Sequence, residues 1–178
     1  MNETEWLHCT DPQMMLDFMF DGASPRKIDL YTTGSYRSVL HLVNDERFAN
    51  KLDERERYFD GLATVAELDA AIHAADQVPH AICLAAWDSI PPQCQVALIR
   101  DLFGNPFHPV RFEPAWATLA VRSRAQTIYD KRQFQDMSLL SIALEEAGCA
   151  NEEILSHCCQ PGEHWRGCWV IDLVLAKD

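Results

Sequence analysis

The residues best equipped for chemistry crowd into one stretch near the C-terminus. It reads His157-Cys158-Cys159-Gln160-Pro161-Gly162-Glu163-His164-Trp165-Arg166-Gly167-Cys168-Trp169, with Cys149 eight residues ahead of His157. Thiolate and imidazole are the donors that Zn²⁺ favours in a tetrahedral shell. A metal-binding alternative would use Cys149, Cys158, His164 and Cys168 as ligands, with zinc as its ion, and His157 and Cys159 could supply remaining ligands. On a helix, His164 and Cys168 would share a face, being four residues apart. The competing expectation is a group of core cysteines around a polar turn. Free cysteine is among the most buried residue types, and the Cys-x₂-Cys knuckle that makes a zinc signature specific is missing.

The same side chains raise the question of a nucleophilic thiol at Cys168 or Cys158. His164 would reach Cys168 at helical spacing, whereas His157 and Cys158 are sequence neighbours whose side chains would diverge on a helix. No orienting acid or oxyanion site is evident, so the chain is expected not to be an enzyme. Trp165, Arg166, Trp169 and Asp172 form a second group, with either a structural or an interaction role. Asp172 lies inside an apolar run, where it would be buried and paired, with Arg166 or His164 as candidate partners, or exposed on one helix face. The five tryptophans are expected core anchors; if Trp6 and Trp165 are exposed, they mark a partner surface. Glu145-Glu146 and Glu152-Glu153 have the character of solvated faces. No phosphate loop, dinucleotide fingerprint, His-Glu-x-x-His or Gly-x-Ser-x-Gly elbow occurs.

The elements that must position these residues are expected to be helices. Thr10-Asp11-Pro12, Ser24-Pro25 and Thr64-Val65-Ala66-Glu67 are helix starts, with caps at Thr10, Ser24 and Thr64 and a capping box at Thr64. Gly61 and Gly148 are stops. Phe48, Leu52, Arg55 and Phe59 share one side of a helix that begins near Asn44, and Gln93 to Phe103 is a further helix. Phe103-Gly104-Asn105-Pro106-Phe107-His108-Pro109 is rich in turn residues and forms an ordered connection. Pro114 starts a helix running to about Arg132, with Leu119, Ile128 and Tyr129 in the core. Met137, Leu140, Leu144 and Ala147 mark another, and Asn151 caps a short one. The apolar run from Cys168 to Leu175 fits a buried helix or a buried strand. A helix is expected, because no second strong strand exists to pair with it. The sum is a mainly α fold, a single helical domain over 1–178 with about seven or eight short helices.

Composition supports a globular chain: 178 residues, 48% hydrophobic and 24% charged. Fifteen Lys plus Arg against 27 Asp plus Glu give a formal net charge of -12. Such a surface repels nucleic-acid backbones and anionic membranes, so neither is an expected partner. The N-terminal residues lack the basic and apolar regions of a signal peptide, and no stretch has the length of a membrane span. With seven cysteines, an odd number, a reduced cytoplasmic protein is the expectation.

Several segments resemble a family of small proteins abundant in planctomycete bacteria, to which no activity attaches. The resemblance is carried by Leu102-Phe103-Gly104-Asn105-Pro106-Phe107, by Ala143 to Cys149, and by His157-Cys158, Pro161-Gly162, His164, Arg166-Gly167-Cys168-Trp169 and Asp172-Leu173. Glu5-Trp6-Leu7, Cys9-Thr10-Asp11-Pro12 and Tyr58 to Ala63 are similar to it as well. Where its members have a cysteine-rich stretch, this chain has Thr32-Thr33-Gly34-Ser35-Tyr36-Arg37. If those cysteines help hold a metal, the resemblance implies that part of the site is missing here and that a scaffold or partner-binding role is favoured. The functional expectation is thus a non-catalytic helical module acting through a protein partner or as a homo-oligomer. The alternative is a zinc protein or metal-dependent enzyme built on the C-terminal cluster.

Overall fold

The computed structural model describes residues 1–177. The chain is 71% helical, and no strand occurs among the described residues. Among the described residues there are twelve α-helices in place of the seven or eight expected: α1 (Glu3–His8), α2 (Pro12–Met19), α3 (Pro25–Ser38), α4 (Leu40–Val43), α5 (Glu46–Phe59), α6 (Val65–Ala75), α7 (His80–Asp88), α8 (Pro92–Phe103), α9 (Leu119–Lys131), α10 (Met137–Glu146), α11 (Glu152–Cys159) and α12 (Trp169–Leu175). The low count has a physical reason. Helices such as α1 and α4, six and four residues long, are too short to display a 3.6-residue period. Among the described residues no helix is long and apolar enough to cross a membrane.

The chain divides into two compact units. One comprises Leu7–Ile99 with Met1, the other Asn2–Trp6 together with the chain from Arg100 on.

In the first unit, local capping chemistry sets the helix starts. Asp11, not Thr10, caps α2: its carboxylate accepts from the amides of Gln13 and Met14, with Pro12 at the first helical position. Ser24 caps α3 by accepting from Lys27 N–H, and Thr64 and Glu67 form the expected capping box on α6. Val39, Val43, Phe48, Leu52, Val78, Ala86 and Ile90 build an apolar core. Helix α5 buries Phe48, Leu52 and also Glu56. That carboxylate is tolerated because Arg37 Nε donates to it at 2.7 Å while Arg37 Nη2 donates to Asp53 at 2.6 Å. Arg55 pairs with buried Asp29 on α3, and Arg26 reaches Asp60 at 3.0 Å. Burial pushes the Asp29 carboxyl above its usual range, with Arg55 opposing the shift.

In the second unit, α9 packs on α10 and α12, α10 on α11, and α11 on α12. Their apolar faces meet in a core that includes Val121, Ile128, Tyr129, Leu140, Leu144, Ile154, Val170, Ile171 and Val174. The run after Cys168 is helical, as expected. The expected helix from Pro114 is two pieces. Pro114–Trp116 forms a 3₁₀ turn, and α9 starts afresh at the Thr118 cap. Leu119 is therefore the first residue of a helix and is 83% exposed, leaving Val121 and Ala125 to fill the core. Trp6 is buried, and its carbonyl accepts from Arg100 Nη2 at 2.9 Å; Trp165 and Trp169 are half-buried.

Candidate metal centre

The buried polar group of the second unit is assembled from three places. Asp101 comes from the last turn of α8, where the negative end of the helix dipole opposes an acid. His157 lies on α11, on the inward face it shares with Ile154 and Cys158. His164 and Cys168 come from the connection between α11 and α12, Cys168 being the residue that caps α12. These last two meet without a helix between them. Cys168 N–H donates to Trp165 C=O at 3.0 Å, closing a turn whose third residue, Gly167, sits at φ 90. A side chain would resist that backbone, so glycine is what folds the sulfur back toward the imidazole.

Four donor atoms converge: Asp101 Oδ1, His157 Nε2, His164 Nδ1 and Cys168 Sγ all lie within 4.8 Å of one another. Asp101 Oδ1 is 2.6 Å from His164 Nδ1 and 3.1 Å from His157 Nε2. His157 Nε2 is 3.2 Å from Cys168 Sγ, which is 3.9 Å from His164 Nδ1. Relative exposure is 3% for Asp101, 8% for each histidine and 0% for Cys168. The donors thus face one another behind a closed surface.

Surrounding groups fix the donors in place. Trp165 N–H donates to Asp101 Oδ2 at 2.9 Å, which leaves Oδ1 pointing at the cluster. Gln160 Nε2 lies 3.0 Å from His157 Nδ1, on the side of the ring away from the cluster. The indole of Trp169 packs against the His157 ring at 5.1 Å, and the two imidazoles stand edge to face at 4.8 Å. Behind Trp169 sits Gly104, at φ 64, where an added Cβ would lie 3.3 Å from the indole.

The electrostatics follow from burial and these contacts. Burial alone would push the Asp101 carboxyl up, but hydrogen bonds and charge from His157 and His164 outweigh it and hold the group below its usual range. The Cys168 thiol is pushed well above its usual value by burial and by the Asp101 carboxylate. A thiol so placed is neither ionised nor reachable at neutral pH, which argues against a nucleophilic role. In a cation's field the same sulfur would ionise and become a ligand.

Of the residues marked in the sequence, His157, His164 and Cys168 join this group. Cys149 and Cys158 are buried in the apolar core, at 4% and 2% exposure, and are not among its four donors. The Cys158 thiol is pushed up to about 12, chiefly by burial, as befits a core residue. Asp101 is the donor that inspection of the C-terminal stretch misses. Its signal was an acid in the final turn of an otherwise apolar helix face, between Ile99 and Leu102. In the second marked set, the Arg166 guanidinium stacks on the Tyr129 ring at 4.7 Å, and Asp172 is buried on α12.

Comparison with protein-family models, with curated proteins and with solved structures gives no match to this chain.

Proposed function

We propose that the chain is a metal-binding helical protein whose ion is zinc, held by Asp101, His157, His164 and Cys168 in a structural, non-catalytic centre. The observation that carries this is the convergence of four donor atoms of the right chemistry within 4.8 Å in a buried site. With Zn–N and Zn–O near 2.0–2.1 Å and Zn–S near 2.3 Å, a tetrahedral shell needs donor separations of about 3.3–3.6 Å. Four of the six donor separations run from 2.6 to 3.9 Å and all six lie within 4.8 Å, so modest side-chain adjustments would bring the donors onto such a shell. The charge also fits. One carboxylate and one thiolate neutralise a divalent cation, which removes the penalty of burying either alone.

Four protein donors leave no open position for water or substrate, the arrangement of structural zinc sites. The ion would tie the end of α8 to α11 and to the turn ahead of α12. The test is elemental analysis of the full chain purified without a histidine tag, with cobalt(II) substitution as a second readout. About one equivalent of zinc and a cobalt–thiolate absorption band lost on Cys168→Ala are expected. Less than about a tenth of an equivalent, with no such band, would overturn the proposal.

A second reading, a helical protein-interaction module, draws on a different observation. In the first unit Met14 and Phe18, one helical turn apart on α2, are 58% and 38% exposed, and Phe20 just beyond is 63% exposed. Such side chains suit a protein partner or a second copy of the chain. A monomer in light scattering at every concentration, unchanged by Phe20→Ser, would count against self-association.

A further inference from the structure

The geometry points to Gln160 as the positioning residue of the centre: we propose that its side-chain amide turns over when the ion binds, so that its oxygen accepts the Nδ1 proton of His157. This rests on the metal reading above and names the residue that tunes it. In the present arrangement the amide nitrogen of Gln160 faces His157 Nδ1 at 3.0 Å. An amide N–H donating there makes Nδ1 the acceptor, so the imidazole proton sits on Nε2, facing Asp101 Oδ1 at 3.1 Å. That tautomer cannot ligate through Nε2, because its lone pair is taken by the proton.

Ligation reverses the tautomer, not the ring. The Nε2 lone pair turns to the ion and the proton of the neutral imidazole moves to Nδ1, where it meets the amide N–H of Gln160 as donor against donor. A half-turn of the amide replaces that repulsion with an Nδ1–H···Oε1 hydrogen bond. Gln160 is exposed, directly follows α11 and leads into Pro161-Gly162, so little packing resists the rotation. Metal-bound histidines generally donate their second N–H to a carbonyl or carboxylate, which fixes the ring and raises its basicity. No other side-chain contact to His157 Nδ1 is needed for this one to serve.

The experiment measures zinc affinity of the full chain by competition with a chromophoric chelator, in wild type, Gln160→Met and Gln160→Glu. Methionine keeps the length and removes the acceptor; glutamate keeps an acceptor and cannot present a donor. Because the side chain is exposed, both variants should fold, which far-UV circular dichroism of the metal-free proteins checks. Gln160→Met should weaken zinc about 10–100-fold, the usual loss for such a partner, while Gln160→Glu should bind at least as tightly as wild type. Wild-type affinity in Gln160→Met, or equal losses in both variants, would overturn the role of Gln160 while leaving the metal centre standing. A wild-type chain that binds no zinc would overturn the metal centre itself.

Discussion

If the proposed centre holds zinc, removing the ion should lower the melting temperature by about 5–16 °C, and the pattern of variants that lose this shift should identify the ligands. An ion at this position joins residues 63 apart in sequence, Asp101 and His164, and closes the shorter loop between His157 and Cys168, 11 apart. Because the converged site exists only in the folded chain, binding adds directly to folding stability. Free zinc at one hundred to one thousand times its dissociation constant adds about 2.7–4.1 kcal/mol. For a chain of about this size each kcal/mol moves the melting temperature by about 2–4 °C, which gives the range stated. The assay is differential scanning calorimetry with buffered zinc and with excess chelator. Cys168→Ala and His164→Ala should melt at the same temperature in both. Cys149→Ala and Cys158→Ala should keep the wild-type shift, although each lowers both temperatures through loss of core packing, by about 1 kcal/mol. A wild-type protein indifferent to chelator would refute the reasoning. So would a shift abolished by Cys149→Ala or Cys158→Ala and retained by Cys168→Ala.

Three further outcomes follow from the packing. In the native protein a neutral-pH alkylating reagent should modify exposed Cys159 well before Cys158 and Cys168, which are 2% and 0% exposed, as peptide mapping by mass spectrometry would show; rapid labelling of Cys168 would contradict its burial. Gly104→Ala places a Cβ at φ 64 against the Trp169 indole and should cost about 1–2 kcal/mol, seen as a lower urea midpoint. Thr64→Ala removes the capping-box hydroxyl that accepts from Glu67 N–H and should cost about 1 kcal/mol by the same assay; an unchanged midpoint would mean that α6 does not depend on its cap.

Where the fold was legible in the sequence, the information was local. The Ser24 and Thr64 starts and the Asn151 cap are satisfied within three residues of the capping side chain, so their chemistry is visible in the chain itself. The misplacement at Thr10 arose because two capping residues stand side by side, and proline at the first helical position selects Asp11. Leu119 misled for a related reason: an apolar residue at the first position of a helix is not yet on its buried stripe. Glu56 was hidden because its burial depends on Arg37, which lies on another helix.

The candidate site divides along the same line. His157, His164 and Cys168 were conspicuous because they are close in sequence, and burial of Cys149 and Cys158 follows from the ordinary behaviour of cysteine as a small hydrophobe. What separates the two kinds of cysteine is the acid. Cys149, Cys158 and Cys168 all lie in one apolar core, but Cys168 also lies beside Asp101, which comes from a helix that ends more than fifty residues earlier. A count of thiols therefore leads to Cys149 and Cys158, whereas the buried carboxylate leads to the four donors that converge. An isolated carboxylate would not remain ionised in such a place without cationic compensation. Asp101 is held below the usual carboxylate range by two imidazoles, and its second oxygen is taken by the Trp165 amide. Its first oxygen is left facing one sulfur and two nitrogens, the donor set on which the proposed zinc centre rests.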